Sequence, residues 1–341
     1  MSLPEPLLLK GSPASPYTRK MLAVLRYRRI PYAFVLNASA RANALPKPKV
    51  ELLPTFYFPD GQGGLAPATD STPLIRRLDH ERPGRELQPR DPVIAFLDSL
   101  IEDYADEWLT KAMFHYRWSY PADIAKGGGL LRRYQNLATT DAEAAELAQT
   151  FARRQIDRLR FVGSHAGTAP VIEASYRRFL DIFEEHLRHH PFLLGRRPSA
   201  CDFGVYGQLT QLAHFDPTPA ALCLERAPRV HAWVSLMDDL SGEEPQDGDW
   251  FTRDAIPGTI TALLKEIGRV YVPVMLANAK AVRDKADKVE AVVDGQPWVQ
   301  NPFPYQAKCV LWLREEFGAL PPDAREAARG RLASAGCLAL L

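Results

Sequence analysis

Residues 7–21, LLLKGSPASPYTRKM, place the strongest constraint on how this chain of 341 residues folds. The three leucines predict a short buried strand, and the Gly-Ser-Pro-Ala stretch predicts a tight loop that leads directly into a helix. Pro16 suits the first turn of that helix, because its missing N–H costs no hydrogen bond there. Ser15 then lies at the helix N-terminus, beside unpaired backbone N–H groups that favour an anion such as a thiolate.

Two further β-prone runs follow in the order of an α/β unit. Residues 31–36, PYAFVL, predict a second strand that closes a strand–helix–strand unit. Residues 50–58 contain Pro54, which cannot donate to a central ladder, so an edge strand that starts at this proline is one interpretation. The turn at residues 59–61 and the stretch at 63–67 predict a return strand and hence a hairpin.

Asp70 and Ser71 open the next predicted helix. Ser71 and nearby N–H groups can bind a carboxylate, while Asp70 can pair with an α-ammonium. Helix capping alone selects the same residue types, and it would also account for Ser15. Each motif taken singly therefore also has a purely structural interpretation.

The pattern Gly-x-Pro-x-Ser-x-x-x-Arg-Lys, which contains Ser15, resembles the active-site turn of Ser-type glutathione transferases. Ser-Pro-Tyr-Thr at 15–18 is also similar to a glutaredoxin turn in which hydroxyls replace both thiols. The resemblance implies a thioredoxin-like α/β N-terminal domain followed by an all-α domain. It also implies a cis bond between Leu53 and Pro54, with the Leu53 backbone offered to an extended thiol peptide.

The resemblance further implies that Asp70 and Ser71 hold the γ-glutamyl end of glutathione, the co-substrate. Ser15 would donate a hydrogen bond to the glutathione thiolate and would not itself be a nucleophile. Ser12 and Tyr17 are alternative donors to the thiolate in the same loop. The purely structural interpretation of Ser12 is a turn residue, and that of Tyr17 is a packed aromatic.

Length and composition agree with more than one domain, since 46% of the residues are hydrophobic and can build sizeable cores. The proline- and glycine-rich stretch 81–92 reads as a linker. We predict a thioredoxin-like glutathione-binding domain at 1–82, an all-α glutathione-transferase-like domain at 93–245, and an extension of unknown role at 246–341. The extension is expected to be mainly helical, with a short hairpin around Asp294-Gly295.

In the helical part, residues 93–120 predict one long helix or two joined helices, and 141–161 and 171–190 predict two more. Ser199 and Asp202 predict a capping box with a role in folding. Gly127-Gly128-Gly129 is expected to form a flexible loop. Among the extension's predicted helices, 255–286 carries Pro273 as a kink.

Four acidic residues in the long helix, Glu102, Asp103, Asp106 and Glu107, are expected to form a solvated face and not a metal site, because no matching ligands occur at suitable spacing.

Charge and cysteine content limit the possible partners. The 42 basic and 41 acidic residues leave a net charge of +1, which gives no electrostatic reason to expect nucleic acid or an anionic membrane as partner. The sequence shows neither a long apolar run nor a signal core, so we expect a cytoplasmic protein. The four cysteines are widely spaced, and we expect reduced, structural thiols and no metal.

The sequence therefore predicts a glutathione transferase that activates the glutathione thiol for attack on an electrophilic, apolar small molecule. Homodimerisation is implied by the resemblance alone. The alternative is a non-catalytic binding or scaffold protein of the same fold that uses its extension, while a thiol–disulfide exchange enzyme is disfavoured because Ser15 stands where the cysteine would be. Candidates for the second-substrate pocket are four residues of the long helix, for which a core stripe is the alternative: Trp108, Phe114, His115 and Trp118.

Overall fold

The protein is described by a computed structural model that covers residues 3–134, 136–246 and 248–341. Its N-terminal part is a four-stranded mixed sheet with the strand order β2-β1-β3-β4. β1 pairs parallel with β2 and antiparallel with β3, and β3 pairs antiparallel with β4. The elements are β1 (Leu7–Gly11), α1 (Pro16–Tyr27), β2 (Tyr32–Leu36), α2 (Ala40–Asn43), β3 (Thr55–Pro59), β4 (Leu65–Ala68) and α3 (Ser71–Glu81).

The predicted strand–helix–strand unit and hairpin are confirmed, and so is the cis bond between Leu53 and Pro54. Local chemistry explains the start of the fold. Leu7 and Leu9 alternate with less buried neighbours along β1, as a half-buried strand requires. Ser15 caps α1 through its side chain, and Pro16 occupies the first turn.

The middle of the chain is helical, as predicted. Residues 92–119 form one long helix made of α4 and α5, which a π-helical turn at Ala105–Leu109 joins. Ser199 and Asp202 form the predicted capping box at the start of α10. The helices are α4 (Pro92–Tyr104), α5 (Thr110–Ser119), α6 (Pro121–Arg133), α7 (Asp141–Asp157), α8 (Leu159–Val162), α9 (Ala169–His186), α10 (Ala200–Leu209), α11 (Pro217–Arg226) and α12 (Pro228–Leu236).

The prediction of a flexible loop at Gly127-Gly128-Gly129 was wrong, because all three residues lie within α6. The reason is close helix packing against α7. A Cβ atom added at Gly128 would lie 3.3 Å from the carbonyl oxygen of Ala148. Glycine lets the two backbones approach, and this tertiary contact outweighs its low helix propensity.

The C-terminal part combines four helices with a two-stranded hairpin. Pro273 lies in the first turn of α14, directly after a π-helical turn at Ile267–Tyr271 that interrupts the long predicted helix. Asp294 and Gly295 have φ angles of 51° and 74°, which suit a two-residue hairpin turn. The elements are α13 (Gly258–Glu266), α14 (Val272–Asp284), β5 (Val289–Val293), β6 (Gln296–Gln300), α15 (Pro304–Ala319) and α16 (Pro322–Ser334).

A single hydrophobic core connects all three parts of the chain. It contains Leu9 of the sheet, Leu97 of α4 and Trp298 of the hairpin. The division into segments 1–82, 93–245 and 246–341 stays a prediction, although α3 ends and α4 begins at the two ends of the predicted linker. All four cysteines are free and buried. None of the helices in the described ranges is both long enough and apolar enough to span a bilayer.

Candidate functional site

The sheet brings the three predicted motifs to one of its ends. β1 ends at Gly11, next to the start of β3, because Lys10 pairs with Thr55. β4 ends beside the same point, because Phe56 of β3 pairs with Ala68. Three sites therefore lie at the same end of the sheet: the loop with Ser15, the Leu53-Pro54 bond and the Asp70-Ser71 pair.

Ser15 lies at this end in an open cleft of about 250 Å³. Its Oγ accepts a hydrogen bond of 3.2 Å from the backbone N of Thr18. Within the described residues its own hydroxyl hydrogen has no acceptor, so it is free to donate to a ligand. The cleft is lined by Gly11, Ser12, Pro13, Ala14, Ser15, Leu36, Asn37, Ala38, Leu53, Leu131, Tyr134 and Phe151.

The two rival donors differ in their positions. The Tyr17 hydroxyl donates to the carbonyl oxygen of Asp106 at 2.9 Å, and the residue is not part of the cleft lining. Burial, followed by the nearby Asp106 charge, raises the pKa of Tyr17 well above its usual value. Tyr17 therefore has the geometry of a packed aromatic. Ser12 lines the cleft beside Ser15 and stays a possible donor.

The four candidate pocket residues of the long helix do not line this cleft. Trp108, His115 and Trp118 are buried, and Trp108 belongs to the hydrophobic core. A second-substrate role for the four residues stays a prediction. Trp108 Nε1 donates to Ser175 Oγ at 2.8 Å. Phe114 is only partly buried and packs against the same core.

The apolar wall of the cleft comes from α6, α7 and the residue after α6, through Leu131, Tyr134 and Phe151. The sequence analysis missed these residues because it treated the glycine-rich stretch before Leu131 as a loop. The apolar residues that follow the glycines at helical spacing were the available signal.

The acidic cluster is not a solvated face, and that prediction was wrong. Glu102, Asp106 and Glu107 are buried. The fully buried Lys20 of α1 inserts between the first two, with Nζ 2.8 Å from Glu102 Oε1 and 2.6 Å from Asp106 Oδ2. The C-terminal part covers the rest, because the Tyr271 hydroxyl donates to Asp103. The lysine of α1 and the C-terminal part of the same chain thus allow these carboxylates to be buried.

Burial also shifts the acidity of the cluster. It raises the pKa of Asp106 to about 6, against the lowering effect of Lys20. It raises the pKa of Asp103 to about 7, although the hydrogen bond from Tyr271 opposes this. Burial alone would lower the pKa of Lys20, but the charges of Asp106 and Glu102 outweigh it and the pKa is raised. Lys20 is therefore charged at neutral pH.

Asp70 and Ser71 already have partners within the chain. Ser71 is buried, and its Oγ accepts a hydrogen bond of 3.1 Å from Lys20 Nζ. Asp70 makes no side-chain cap bond, so capping does not explain its carboxylate. Its Oδ2 instead accepts a hydrogen bond of 2.8 Å from the Tyr305 hydroxyl, which belongs to α15. The far end of the chain thus reaches the predicted γ-glutamyl site.

No group of three or more His, Cys, Asp or Glu side chains in the described part of the chain is placed to hold a metal ion.

Solved structures of similar fold include three bacterial proteins. A glutathione transferase from Pseudomonas putida, with one glutathione disulfide bound per subunit, is 13% identical, with 71% of this chain and 93% of that chain covered and a TM-score of 0.43. A glutathione transferase from Burkholderia graminis, with two glutathione molecules bound per subunit, is 16% identical, with 72% and 90% covered and a TM-score of 0.44. A beta-etherase from Sphingobium is 17% identical, with 68% and 95% covered and a TM-score of 0.47. At these values the similarities carry no argument about activity.

Comparison with known protein families identifies the family of this chain more directly than the solved structures do. No curated protein matches the sequence. Residues 9–86 match the glutathione S-transferase N-terminal domain, and residues 143–235 match the glutathione S-transferase C-terminal domain. The two matches span half of the chain, occur in the order that the fold requires, and include the loop that carries Ser15. The chain belongs to the glutathione S-transferase family.

Proposed function

We propose that the protein is a glutathione transferase that binds the glutathione thiol in the cleft at Ser15 and activates it for attack on an electrophilic, apolar small molecule. The observation that carries the proposal is the position of the Ser15 hydroxyl. It lies at the N-terminus of α1, inside the cleft, with a free hydrogen and with Leu53 in the same wall. The Leu53 backbone, before the cis bond to Pro54, is then available to the cysteinyl part of the peptide.

The energies are sufficient for thiolate formation. A free thiol has a pKa near 8.5, and lowering it to about 6.5 requires roughly 2.7 kcal/mol of preferential thiolate stabilisation. A hydrogen bond to a charged group supplies about 1.5–3 kcal/mol. The helix N-terminus adds about 0.3–1 kcal/mol. Ser15 and the first turn of α1 therefore suffice as the activating groups.

The reaction is nucleophilic addition or displacement at carbon. The thiol proton leaves to solvent, and Ser15 holds the sulfur as a thiolate. The sulfur lone pair forms the new carbon–sulfur bond. In displacement the leaving group departs with its bonding electron pair; in addition the π electrons of an activated double bond shift to the neighbouring carbon, which takes a proton from solvent. Leu131, Tyr134 and Phe151 form the apolar surface against which the electrophile would lie.

The proposal is tested by the ultraviolet absorbance of the thiolate, recorded against pH with glutathione bound to the wild type and to Ser15→Ala. We expect a thiol pKa below about 7.5 in the wild type and a higher value in Ser15→Ala. Ser39→Ala is the matched control, because Ser39 caps α2 through the same bond, 3.2 Å from the backbone N of Ala42, and is not in the cleft lining. Absence of binding at millimolar glutathione contradicts the proposal.

A non-catalytic binding protein of the same fold is the second candidate. The internal partners of Asp70 and Ser71 favour it, because they occupy the predicted γ-glutamyl end. The same titration separates the two, since a binding protein holds glutathione with an unshifted thiol pKa. From the resemblance alone we also propose that the protein is cytoplasmic and forms a homodimer. Light scattering of the purified protein tests the homodimer.

A further inference from the structure

Every side-chain group at the N-terminus of α3 already has a partner within the chain. Asp70 Oδ2 accepts a hydrogen bond of 2.8 Å from the Tyr305 hydroxyl, and Ser71 Oγ accepts one of 3.1 Å from Lys20 Nζ. Thr72 Oγ1 donates to Glu102 Oε1 at 3.1 Å. The cleft at Ser15 is open by contrast. The two ends of the predicted peptide site therefore differ in what they offer to a ligand.

Tyr305 is held firmly in its position. The residue two places before it, Phe303, exchanges two hydrogen bonds with the buried Asn278, at 2.9 Å from Nδ2 to the Phe303 carbonyl and 2.8 Å from the Phe303 N–H to Oδ1. The next residue, Gln306, is buried, and its Nε2 donates to the Glu107 carbonyl at 3.4 Å. The start of α15 is thus fixed to α14 and to the long helix, and Tyr305 reaches Asp70 from a rigid support.

A ligand ammonium at Asp70 would enter an occupied environment. The carboxylate already accepts the Tyr305 hydrogen bond through Oδ2. Lys20 and Lys308 lie close enough to act on the Asp70 charge. Both would repel an approaching ammonium, although Glu102 and Asp106 neutralise Lys20 in part.

We infer that Tyr305 is a specificity-determining residue, whose hydroxyl takes the place on Asp70 that the α-ammonium of a γ-glutamyl thiol would take. The site consequently accepts thiol peptides without gaining affinity from that ammonium. Thiol peptides with and without an α-amino group are then equivalent ligands. This inference rests on the proposed function, because it concerns the far end of the same thiol-binding site.

The test compares two ligands by calorimetry: glutathione and glutaryl-cysteinylglycine, which differs only by lacking the α-amino group. In the wild type we expect the two dissociation constants to agree within about twofold. Tyr305→Phe keeps the ring and removes the hydroxyl. We expect it to strengthen glutathione binding by about tenfold relative to the analogue, because Asp70 regains a place for a charge-assisted bond.

Tyr271→Phe is the matched control, because it removes another tyrosine hydroxyl of the C-terminal part from a partly buried carboxylate, Asp103, without touching Asp70. It should leave the ratio of the two constants unchanged. Thermal melting of each variant shows that the fold is intact.

The inference is overturned if wild-type protein already prefers glutathione by tenfold or more, or if Tyr305→Phe leaves the ratio as it was. In both cases the thiols still bind and the proposed function stands. If neither thiol binds to any of the three proteins, the proposed function and this inference both fail.

Discussion

The ammonium nitrogen of Lys20 lies 2.6 Å from Oδ2 of Asp106, and the two residues join α1 to the long helix without any exposure of the lysine side chain. Because the pair is buried and shared with Glu102, removal of the cation leaves two carboxylates in a dry environment. We expect Lys20→Met to lower the free energy of unfolding by about 3–5 kcal/mol, as measured by urea titration.

Two further variants complete that experiment. Arg29→Met removes the cation of an exposed pair with Glu244 and should change the stability little. Combining Lys20→Met with Asp106→Asn should recover part of the loss, since one uncompensated charge disappears. If Lys20→Met is as stable as the Arg29→Met control, the buried pair has no structural role.

Asp103 makes the stability depend on pH. Its pKa is about 7 in the folded protein because burial penalises the carboxylate, whereas an unfolded aspartate titrates near 3.9. The folded state therefore binds more protons between about pH 4 and pH 7, and this contribution to stability is lost as the pH rises through that window.

Asp103→Asn keeps the acceptor for Tyr271 and removes the titration. We expect the variant to match the wild type near pH 4 and to be more stable by about 1–3 kcal/mol at pH 8. The exposed Asp287→Asn is the control, and melting curves across pH provide the measurement. A constant difference between Asp103→Asn and wild type at all pH values would contradict this account.

Gly207 sets the distance between α10 and α1. A Cβ atom at this position would lie 2.7 Å from the carbonyl oxygen of Pro16, which is too close for any real contact. We expect Gly207→Ala to destabilise the protein by about 1–3 kcal/mol. Since Pro16 adjoins Ser15, glutathione binding should weaken as well.

The matched substitution is Gly330→Ala in α16, where an added Cβ meets nothing within 4 Å. It should stabilise the protein by about 0.5–1 kcal/mol through helix propensity alone. Equal melting temperatures for the two alanine variants would show that the α1–α10 contact adapts without cost.

Arg117 and Asp216 form a buried bidentate salt bridge. Arg117 Nε and Nη2 both donate to the carboxylate, at 2.8 Å in each case, and Nη2 also reaches Gln211 Oε1 at 2.6 Å. A lysine ammonium cannot reproduce this planar geometry, so Arg117→Lys should lose about 1–3 kcal/mol of stability. Arg226→Lys, at an exposed pair with Asp181, should have little effect in the same urea titration.

The sequence predicted those parts of the fold that depend on local chemistry. Ser15 and Pro16 begin α1, Asp294 and Gly295 turn the hairpin, and Ser199 caps α10, all as expected. In each case the residues that determine the structure are neighbours in the chain, so a short window contains the necessary information.

The failures share one physical cause, which is a partner far away in the chain. Gly128 is helical because of Ala148, and the carboxylates at 102–107 are buried because Lys20 inserts from α1. Tyr305 lies 235 positions from Asp70, and no pattern around either residue points to the other. Within the candidate site, the motifs at the end of the sheet could be predicted from the sequence. The apolar wall of the cleft and the contacts from the C-terminal part could not.

The contacts of Tyr271, Tyr305 and Gln306 affect how deletion experiments on this protein can be interpreted. Each of these side chains supplies a hydrogen bond to a group in the first 107 residues. A shortened protein that stops near residue 245 would expose those groups, together with core residues such as Trp108 that Trp298 covers. Lost activity in such a fragment would report misfolding, and only point substitutions can separate the chemistry of the cleft from the architecture that holds it.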